Sequence, residues 1–593
     1  MQTKNLQILI LLLGIICWSC QSNNDATNTE EKSPNIVFIL TDDQGWGDLS
    51  INGNQNLQTP NIDNLGKNGA ILDRFYVSAV CSPTRAEILT GRYAVRCGVY
   101  STSQGGERID LDETTIAQVF QNAGYKTGAF GKWHSGMQYP YHPNGRGFEE
   151  FYGFCSGHWG NYLDPMLEHN GELIQGKGFL PDDLTNKAME FIEKNKDQPF
   201  FAYLPYNTPH SPMQMPDEWW DKFKDKELSF LGDGRRAEKI GHTKAALAFV
   251  ENIDWNVGRL VNKLESLDLL DNTIIVYLSD NGPNGARWNG KMKGQKGSTD
   301  EGGVRSPTFI QWKKKISAGT KIPQIATALD FLPTLTDLAG ISFTSDKPLD
   351  GKSLKPLLLQ EATNWGERLI FNYWREKLSV RSQDFRLGHQ DQLFDMRSDP
   401  EQRTNVADKF PEIYAELSQA KSNWENTIAI ELPKTDTRPF LLGHPDYPNT
   451  QIPARDGMAY GEIKRSNRWP NCSFFTNWVN VADKITWEVA VPESGNFEVV
   501  LYYTCAADNV GGTFELRFGD QALPGKITEA HDPDFLFLDT YRFTMAESYT
   551  KRFKPLKLGQ IRLEKGKGQL SLNALSIPGR ELMDFRLMMV KRI

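Results

Sequence analysis

Short apolar, β-rich runs alternate with helical segments along the first part of the chain. The runs at 35–41 (NIVFILT), 199–207 (PFFAYLPYN) and 273–282 (TIIVYLSDNG) are nearly continuous in hydrophobic residues. Such runs are typical of strands that are covered on both faces. Helical spacing of apolar residues is found at 115–123 and, as a long amphipathic pattern, at 243–267. This alternation predicts an α/β domain built on a parallel sheet.

Polar residues follow directly where these predicted strands end. Asp42 and Asp43 come after the first run, and Asp280 and Asn281 end the third. The carboxyl ends of parallel strands are the usual ligand-binding edge of an open α/β sheet. Oxygen side chains suit Ca²⁺, with Mg²⁺ as the alternative. Zinc is not expected because no cluster of histidines accompanies them.

The sequence pattern changes after about residue 430. A proline-rich connector, PFLLGHPDYPNTQIP, is followed by runs in which apolar and polar residues alternate, as at Ile485–Val491. This alternation predicts an antiparallel β-sandwich. The expected domains are an α/β catalytic domain at 34–430, a linker at 431–450 and a β-sandwich at 451–593. The aromatic residues Trp469, Trp478 and Trp487 are expected in the core of the sandwich, more often than as a glycan-binding platform.

The N-terminus has the features of an export signal. Lys4 precedes an apolar stretch at 8–16 that is too short to span a bilayer as a helix. We expect a signal peptide at 1–20 and a flexible tether at 21–33. Cys20 stands where a bacterial lipoprotein carries its lipid anchor, and simple secretion with cleavage nearby is the alternative. The expected location is the periplasm or, as a lipoprotein, the outer membrane of a Gram-negative bacterium.

Charge and cysteine content limit the partners and the disulfides. The net charge is −8 and no long basic block is present, which argues against nucleic acid as a partner. Seven cysteines include two in the predicted signal, so five remain in the exported chain. An odd number suggests that at least one is not in a disulfide. Cys472 could pair with Cys505, and Cys97 with Cys155, which would leave Cys81; the sequence does not fix this connectivity.

Several motifs resemble those of a known enzyme family. CSPTR at 81–85, followed by LTGR ending at Arg92, resembles the signature of the type I sulfatases. Further segments resemble the family's other motifs: TDDQGWGD (41–48), GKWH (131–134), NTPHSP (207–212), SDNG (279–282), KGSTDEGGVRSP (296–307) and LFDMRSDPEQRTNVA (393–407). The resemblance covers about residues 33–425. Two departures are Thr84, where serine is commoner, and Ser135, where leucine is usual.

The resemblance implies a fold and a nucleophile. The fold is an alkaline-phosphatase-like mixed sheet flanked by helices. Cys81 is expected to be oxidised to formylglycine by a formylglycine-generating or other sulfatase-maturing enzyme. The implied metal ligands are the oxidised Cys81 and four side chains at strand ends: Asp42, Asp43, Asp280 and Asn281.

The resemblance also implies a role for each charged motif residue. One hydroxyl of hydrated formylglycine, activated by the metal and Asp280, attacks sulfur. Arg85, Lys132 and Lys296 face the sulfate oxygens. His210 or Lys296 gives a proton to the departing alcohol, and His134 takes the proton of the second hydroxyl, so that the aldehyde re-forms and sulfate leaves.

The substrate and the competing functions follow from the same features. A secreted enzyme with an added β-sandwich resembles bacterial polysaccharide sulfatases, which favours an algal polymer such as ulvan or carrageenan over glycosaminoglycans. One alternative is a phosphatase or phosphodiesterase of the same superfamily, which would use serine or threonine with zinc. Another alternative is a pseudoenzyme or a carrier of a carbohydrate-binding module, which would not need the full set of catalytic residues. Four histidines outside the motifs are expected at the surface, although one of them, His158, could reach a substrate subsite. They are His142, His158, His169 and His242.

Overall fold

The computed structural model describes residues 32–361, 364–433, 435–544 and 549–593. The predicted signal peptide, including Cys20, and nearly all of the tether lie outside these ranges. Residues 34–593 form one compact unit. Within the described ranges, no helix is both long enough and apolar enough to cross a membrane.

A large sheet organises the first part of the chain. Its eleven strands are β1 (Asn35–Asp42), β2 (Ala70–Tyr76), β3 (Lys126–Lys132), β4 (Glu150–Phe154), β5 (Met166–His169), β6 (Glu172–Gln175), β7 (Phe200–Pro209), β8 (Thr273–Ser279), β9 (Arg305–Ser306), β10 (Thr308–Gln311) and β11 (Thr320–Thr327). Their order is β11–β2–β10–β8–β1–β7–β3–β4–β5–β6, and β9 pairs with β2.

The sheet is mixed rather than purely parallel. Strands β8, β1, β7, β3 and β4 are parallel to one another, whereas β10 is antiparallel to both β8 and β2, and β5 is antiparallel to β4. An antiparallel neighbour needs no crossover helix, and β8 leads to β10 through a loop with only one short helical turn. The alternation of strands and helices predicts only a parallel sheet, whereas the family resemblance predicts the mixed sheet and is confirmed.

Helices cover both faces of this sheet. They are α1 (Pro60–Lys67), α2 (Cys81–Thr90), α3 (Ile116–Asn122), α4 (Leu180–Lys194), α5 (Asp217–Trp220), α6 (Ile240–Ser266), α7 (Glu301–Val304), α8 (Phe331–Leu338), α9 (Lys355–Leu358) and α10 (Pro411–Thr427). In β1, Ile36 and Phe38 belong to the core shared with α2 and α8, while Val37 and Ile39 belong to the core shared with α4 and α6. This burial on both faces explains why the run at 35–41 is continuously apolar.

A small antiparallel sheet follows the large one. Its strands are β12 (Ile370–Trp374), β13 (Lys377–Arg381), β14 (Phe385–Leu387) and β15 (Leu393–Asp395). Helix α10 packs on it through Leu417, which shares a core with Val380 and Leu387.

Twelve further strands form two six-stranded sheets at the C-terminal end. They are β16 (Phe440–Leu441), β17 (Asn449–Pro453), β18 (Met458–Tyr460), β19 (Lys464–Arg465), β20 (Phe475–Thr476), β21 (Lys484–Val491), β22 (Gly495–Thr504), β23 (Thr513–Phe518), β24 (Gln521–Lys526), β25 (Lys554–Leu563), β26 (Gly566–Ser576) and β27 (Asp584–Arg592). Trp487 of one sheet and Phe585 of the other have ring centroids 5.6 Å apart. Side chains from both sheets thus share one core, as expected of the predicted sandwich.

The predicted linker at 431–450 contributes to these sheets. Phe440–Leu441 pairs with β21, and Asn449–Pro453 pairs with β27. Trp478 and Trp487 are buried in the core, whereas Trp469 is 42% exposed. The five cysteines after the predicted signal are buried and none is in a disulfide, so neither of the disulfides considered from the sequence forms. The limits of the domains stay a prediction.

Candidate active site

The predicted site residues lie at the carboxyl ends of four neighbouring strands. Asp42 is the last residue of β1, Lys132 is the last of β3, and His210 directly follows β7. Asp280 and Asn281 follow β8, the other neighbour of β1. Because these strands are parallel neighbours, segments that are far apart in sequence bring their polar ends to one edge of the sheet.

Cys81 is the first residue of α2, a helix whose ten residues are all buried. The first turn of a helix carries partial positive charge, which favours an anionic group there. Thr84 fixes this turn, because its hydroxyl accepts from the amide of Ser78 at 2.9 Å and donates to the carbonyl of Asp280 at 2.6 Å. Threonine in place of the commoner serine therefore keeps the hydroxyl that joins α2 to the end of β8.

Three buried carboxylates of the site each pair with one cation. The pairs are Lys132–Asp42 at 2.6 Å, Arg85–Asp280 at 2.8 Å and Lys296–Asp43 at 2.6 Å. Arg85 also donates to the carbonyl of Lys132 at 2.9 Å. Five of the six side chains are fully buried or nearly so, and Lys296 is 19% exposed. Three positive and three negative charges balance, so a sulfate ester meets no net negative charge here.

Oxygen atoms remain for a metal ion within this arrangement. One ligand atom each of Asp42, Cys81 and Asp280 lies within 4.8 Å of the other two. Asp42 Oδ1 and Asn281 Oδ1 are buried without a hydrogen-bond partner in the structure. Buried polar oxygens without partners are costly, and a cation would satisfy them. Carboxylate and amide oxygens form a donor set for a hard cation such as Ca²⁺ or Mg²⁺.

Burial and neighbouring charges set the protonation of the site in different directions. Burial raises the pKa of Asp280 to about 6, with Asp42 adding to the effect and Arg85 opposing it. Burial also opposes ionisation of Asp43, but Lys296 and His210 outweigh it and hold the pKa of Asp43 well below its usual range. Burial raises the pKa of the Cys81 thiol despite Lys132, so an unmodified Cys81 is a poor thiolate nucleophile.

His210 faces the carboxylate of Asp43. Its Nε2 lies 3.6 Å from Asp43 Oδ2, and its Nδ1 lies 2.8 Å from the carbonyl of Ser211. A carbonyl can only accept, so Nδ1 carries a proton and Nε2 is the nitrogen that faces the carboxylate.

His134 has the opposite tautomer. Its Nε2 lies 2.8 Å from the carbonyl of Thr102, while its Nδ1 is buried and has no hydrogen-bond partner among the described residues. Nε2 is therefore the donor, and Nδ1 holds a lone pair. Burial, reinforced by Lys132, lowers the pKa of His134 well below its ordinary value, so the ring is a neutral base. The residue has φ of 59°, in the left-handed region, which is strained for a non-glycine residue and common at functional sites.

A residue from the C-terminal region reaches the surroundings of His134. Asn471 Nδ2 donates to the same Thr102 carbonyl at 3.0 Å, and Asn471 Oδ1 accepts from Arg455 at 2.8 Å. A β-carbon on Gly157 would lie 2.6 Å from His134 Nε2 and would also clash with the Asn471 amide. Asn471 lies in no recognisable motif, so nothing in the sequence pointed to it.

Three of the four histidines that were expected at the surface are buried instead. His142, His158 and His242 are buried, whereas His169 is exposed. The expectation of surface positions is wrong for these three, because each packs on an aromatic or imidazole ring. The rings of His158 and His210 stack with centroids 5.3 Å apart, so His158 does lie beside the site.

Two family models match the chain. The Sulfatase model matches residues 34–341, and the model of the N-sulphoglucosamine sulphohydrolase C-terminal region matches residues 296–426. Both matches end before the two C-terminal sheets begin.

The chain is also similar to several known sulfatases. It is 33% identical over 395 residues to the uncharacterised sulfatase YdeN of Escherichia coli, which covers 56% of this chain and 68% of that one. It is 30% identical over 375 residues to the human N-acetylgalactosamine-6-sulfatase, with 57% and 68% covered. The N-acetylglucosamine-6-O-sulfatase of Bacteroides thetaiotaomicron is 28% identical over 504 residues, with 67% and 87% covered.

Several solved structures share the fold, and two of them hold a bound carbohydrate. The structure of Ps i-CgsB in complex with k-i-k-neocarrahexaose is 30% identical with a TM-score of 0.61, and the match covers 68% of this chain and 96% of that one. A protein in complex with its substrate D-glucosamine-2-N,6-O-disulfate is 25% identical with a TM-score of 0.56, covering 67% and 98%. A phosphonate monoester hydrolase of Agrobacterium radiobacter, 20% identical with a TM-score of 0.52, shares the fold alone.

The Sulfatase model spans more than half of the chain and includes the segments that carry Cys81, its predicted metal ligands and the charged residues predicted from the motifs. This chain belongs to the sulfatase family and is an enzyme that hydrolyses sulfate esters.

Proposed function

We propose that this sulfatase removes sulfate groups from a sulfated polysaccharide or its oligosaccharides, with Cys81 matured to formylglycine and a Ca²⁺ ion bound beside it. The observation that carries the proposal is the position of Cys81. It begins a buried helix, and its sulfur lies within 4.8 Å of ligand atoms of Asp42 and Asp280. Those carboxylates are themselves paired with Lys132 and Arg85.

The maturation of Cys81 explains why a buried cysteine can be the nucleophilic position. Formylglycine, once hydrated, supplies one hydroxyl that attacks sulfur and a second that allows sulfate to be released. Asp280, with its pKa raised to about 6, is suited to accept a proton from a hydroxyl at position 81. Arg85, Lys132 and Lys296 stabilise negative charge on the sulfate oxygens in this buried site.

His210 and His134 have different roles in proton transfer. His210 is buried with its Nε2 3.6 Å from Asp43 Oδ2, and that nitrogen is suited to give a proton to the departing alcohol. His134 is neutral and fully buried, and its Nδ1 lone pair is suited to take a proton from position 81. Lys296 is the alternative donor, but its ion pair with Asp43 holds its proton tightly.

The donor set favours calcium as the metal, with magnesium as the alternative. Asp42, Asp43, Asp280, Asn281 and the oxygen of a matured Cys81 supply oxygen ligands only. When bound, the ion would polarise the sulfate group and the nucleophilic oxygen.

Sulfated galactans such as carrageenan are the favoured substrates, and ulvan is a related candidate. Support comes from Ps i-CgsB, which shares 30% identity and whose complex holds a neocarrahexaose. Glycosaminoglycans are the alternative, because the curated relatives include sulfatases of N-acetylgalactosamine and N-acetylglucosamine.

Sulfate release from defined oligosaccharides tests the proposal. The chain would be co-expressed with a formylglycine-generating enzyme, and mass spectrometry of the Cys81 peptide would measure maturation. We expect release from carrageenan oligosaccharides, and a Cys81→Ala variant should lose at least about 10³-fold in kcat/KM. Cys97→Ala is the matched control, because Cys97 is also a buried thiol but hydrogen-bonds Thr90 outside the site. If Cys81→Ala keeps its activity, Cys81 is not the source of the nucleophile. If sulfate is released only from glycosaminoglycans, these are the substrates instead of carrageenan.

We also propose that the enzyme is exported and anchored through a lipid on Cys20. The support is the sequence of the N-terminus alone. Cell fractionation with metabolic labelling by a fatty acid tests this, with Cys20→Ser as the comparison. Equal labelling of both forms would exclude the anchor.

A further inference from the structure

A cavity beside the active site has the features of a second anion-binding subsite. The cavity has a volume of about 130 Å³ and lies where the catalytic region meets the C-terminal sheets. Its lining includes Trp159 and Asn161 from the catalytic region and Lys551, Arg552 and Arg586 from the C-terminal region. We call it the junction cavity.

Arg586 is a mostly buried cation in this lining. It is 9% exposed, and its Nη1 donates to the carbonyl of Ser473 at 2.8 Å. Its guanidinium lies 5.6 Å from the ring centroid of Trp159. No carboxylate lies within ion-pair distance of it among the described residues. A buried guanidinium stays charged, so its charge is left for a ligand to neutralise.

The other charged groups of the cavity are also mainly basic. Arg552 is exposed and forms no ion pair within the described ranges. Lys551 is neutralised by Asp584 at 3.0 Å. Asp164 is the acidic lining residue, and its Oδ1 accepts from the amide of Gly178 at 2.7 Å. Two arginines without carboxylate partners among the described residues therefore line a small cavity with both polar and apolar walls, and such arginines are suited to a sulfate group.

The cavity is joined to the active site by a short chain of contacts. Trp159 directly follows His158, whose ring stacks on that of His210 at 5.3 Å. On the other side, Cys472 donates to the carbonyl of His158 at 2.8 Å, and the next residue, Ser473, accepts from Arg586. An anion in the junction cavity would thus lie on the His210 side of the site.

We propose that the junction cavity binds a second sulfate group of the same oligosaccharide, held by Arg552 and Arg586. This inference rests on the proposed carbohydrate substrate and narrows it to oligosaccharides with more than one sulfate. The family models that match end at residue 426, so both arginines of this subsite come from a region that the models do not cover.

Binding to the unmatured protein tests the subsite without turnover. Isothermal titration would use the full chain with an unmodified Cys81 and three probes: k-i-k-neocarrahexaose, a heparin hexasaccharide and galactose 4-sulfate. We expect one of the hexasaccharides to bind more tightly than the monosulfated sugar. Arg552→Ala and Arg586→Gln should each weaken that binding about tenfold, with little effect on galactose 4-sulfate. The inference is overturned if neither hexasaccharide binds more tightly than galactose 4-sulfate, or if the variants bind all probes as the wild type does.

Kinetics of the matured enzyme separate recognition from folding. With p-nitrophenyl sulfate, Arg552→Ala should keep the wild-type kcat/KM, whereas its KM for the multiply sulfated oligosaccharide should rise about tenfold. Arg562→Ala is the matched control, since Arg562 pairs with Glu564 on the exposed face of β25. Equal losses on both substrates would mean a structural role and would overturn the inference. A wild type without any sulfatase activity would refute the proposed function, while the titrations would still decide the subsite.

Discussion

The catalytic centre and the junction cavity differ in how their cations are neutralised. In the centre, Lys132, Arg85 and Lys296 each pair with a carboxylate that is also a proposed metal ligand. In the junction cavity, Arg552 and Arg586 have no carboxylate partner among the described residues. A sulfate group in the centre must enter a balanced network, whereas one in the cavity supplies a missing counter-charge. The centre is therefore suited to chemistry and the cavity to recognition.

The largest effect should come from breaking a pair in the centre. Asp42→Ala removes a proposed ligand and leaves Lys132 as a buried unpaired cation. We expect kcat/KM to fall at least about 10³-fold and the free energy of unfolding to fall by about 3–5 kcal/mol. The double variant Asp42→Asn with Lys132→Met should recover much of the stability but no activity, measured by urea unfolding and sulfate release. Recovery of activity would show that Asp42 acts only as a charge partner.

Removal of the metal should have the next largest effect. Because the three ion pairs balance the charges without a metal, we expect the chelated enzyme to stay folded. Its activity should fall at least about 10²-fold and return with Ca²⁺. Circular dichroism and sulfate release before and after chelation measure this, with magnesium added in a parallel sample. Full activity in protein that elemental analysis finds free of metal would exclude the metal from the mechanism.

Asn471 links the C-terminal region to the centre and should have an intermediate effect. Asn471→Ala removes the amide that shares the Thr102 carbonyl with His134. We expect kcat to fall about tenfold with KM nearly unchanged, because the base is less well positioned while substrate contacts remain. Asn477→Ala is the control, since its amide donates to Glu462 in an exposed position. An unchanged kcat and an unchanged pH profile in Asn471→Ala would mean that the C-terminal region does not position His134.

Glu87 is a buried carboxyl group that pairs with no cation among the described residues, and its replacement should change stability alone. It lies on α2, with its carboxylate held by the hydroxyl of Ser78 at 3.0 Å, and burial raises its pKa from 4.5 to about 8. The folded state keeps this proton where the unfolded state loses it. The contribution of protonated Glu87 to the free energy of unfolding is therefore complete below about pH 4.5 and is lost as the pH rises to about 8.

Glu87→Gln should remove this pH dependence. At pH 8 the variant should be more stable than the wild type by roughly 2–4 kcal/mol, and at pH 5 the two should be nearly equal. Urea midpoints at four pH values between 5 and 8 measure the difference. Parallel curves for the two proteins would show that Glu87 ionises normally in the folded state.

Much of the site could be predicted because its residues stand in local motifs at strand ends. The pairs Asp42–Asp43 and Asp280–Asn281 follow apolar runs that form the adjacent strands β1 and β8. The same rule brings Lys132 and His210 to that edge from β3 and β7. The roles of these residues stay predictions until the variants are measured.

The rest could not be predicted because it depends on contacts between distant segments. Asn471 reaches the Thr102 carbonyl across 369 positions of sequence. His158 lies in no motif, and its stacking on His210 depends on the packing of separate segments. Phe440–Leu441 looked like linker because proline and glycine surround it, yet it finds a partner strand in β21.

The mixed sheet followed from the family resemblance, whereas the sequence by itself determined the enzyme family and the residues at the catalytic edge of the sheet. These follow from local patterns, since hydrophobic periodicity sets strands and helices and a short motif holds the nucleophile and its arginine together. Only the tertiary structure decided which cations are paired, which tautomer each histidine adopts and where cations remain without counter-charge. Those properties depend on distances between side chains from separate segments, and electrostatic and hydrogen-bond energies change steeply with such distances.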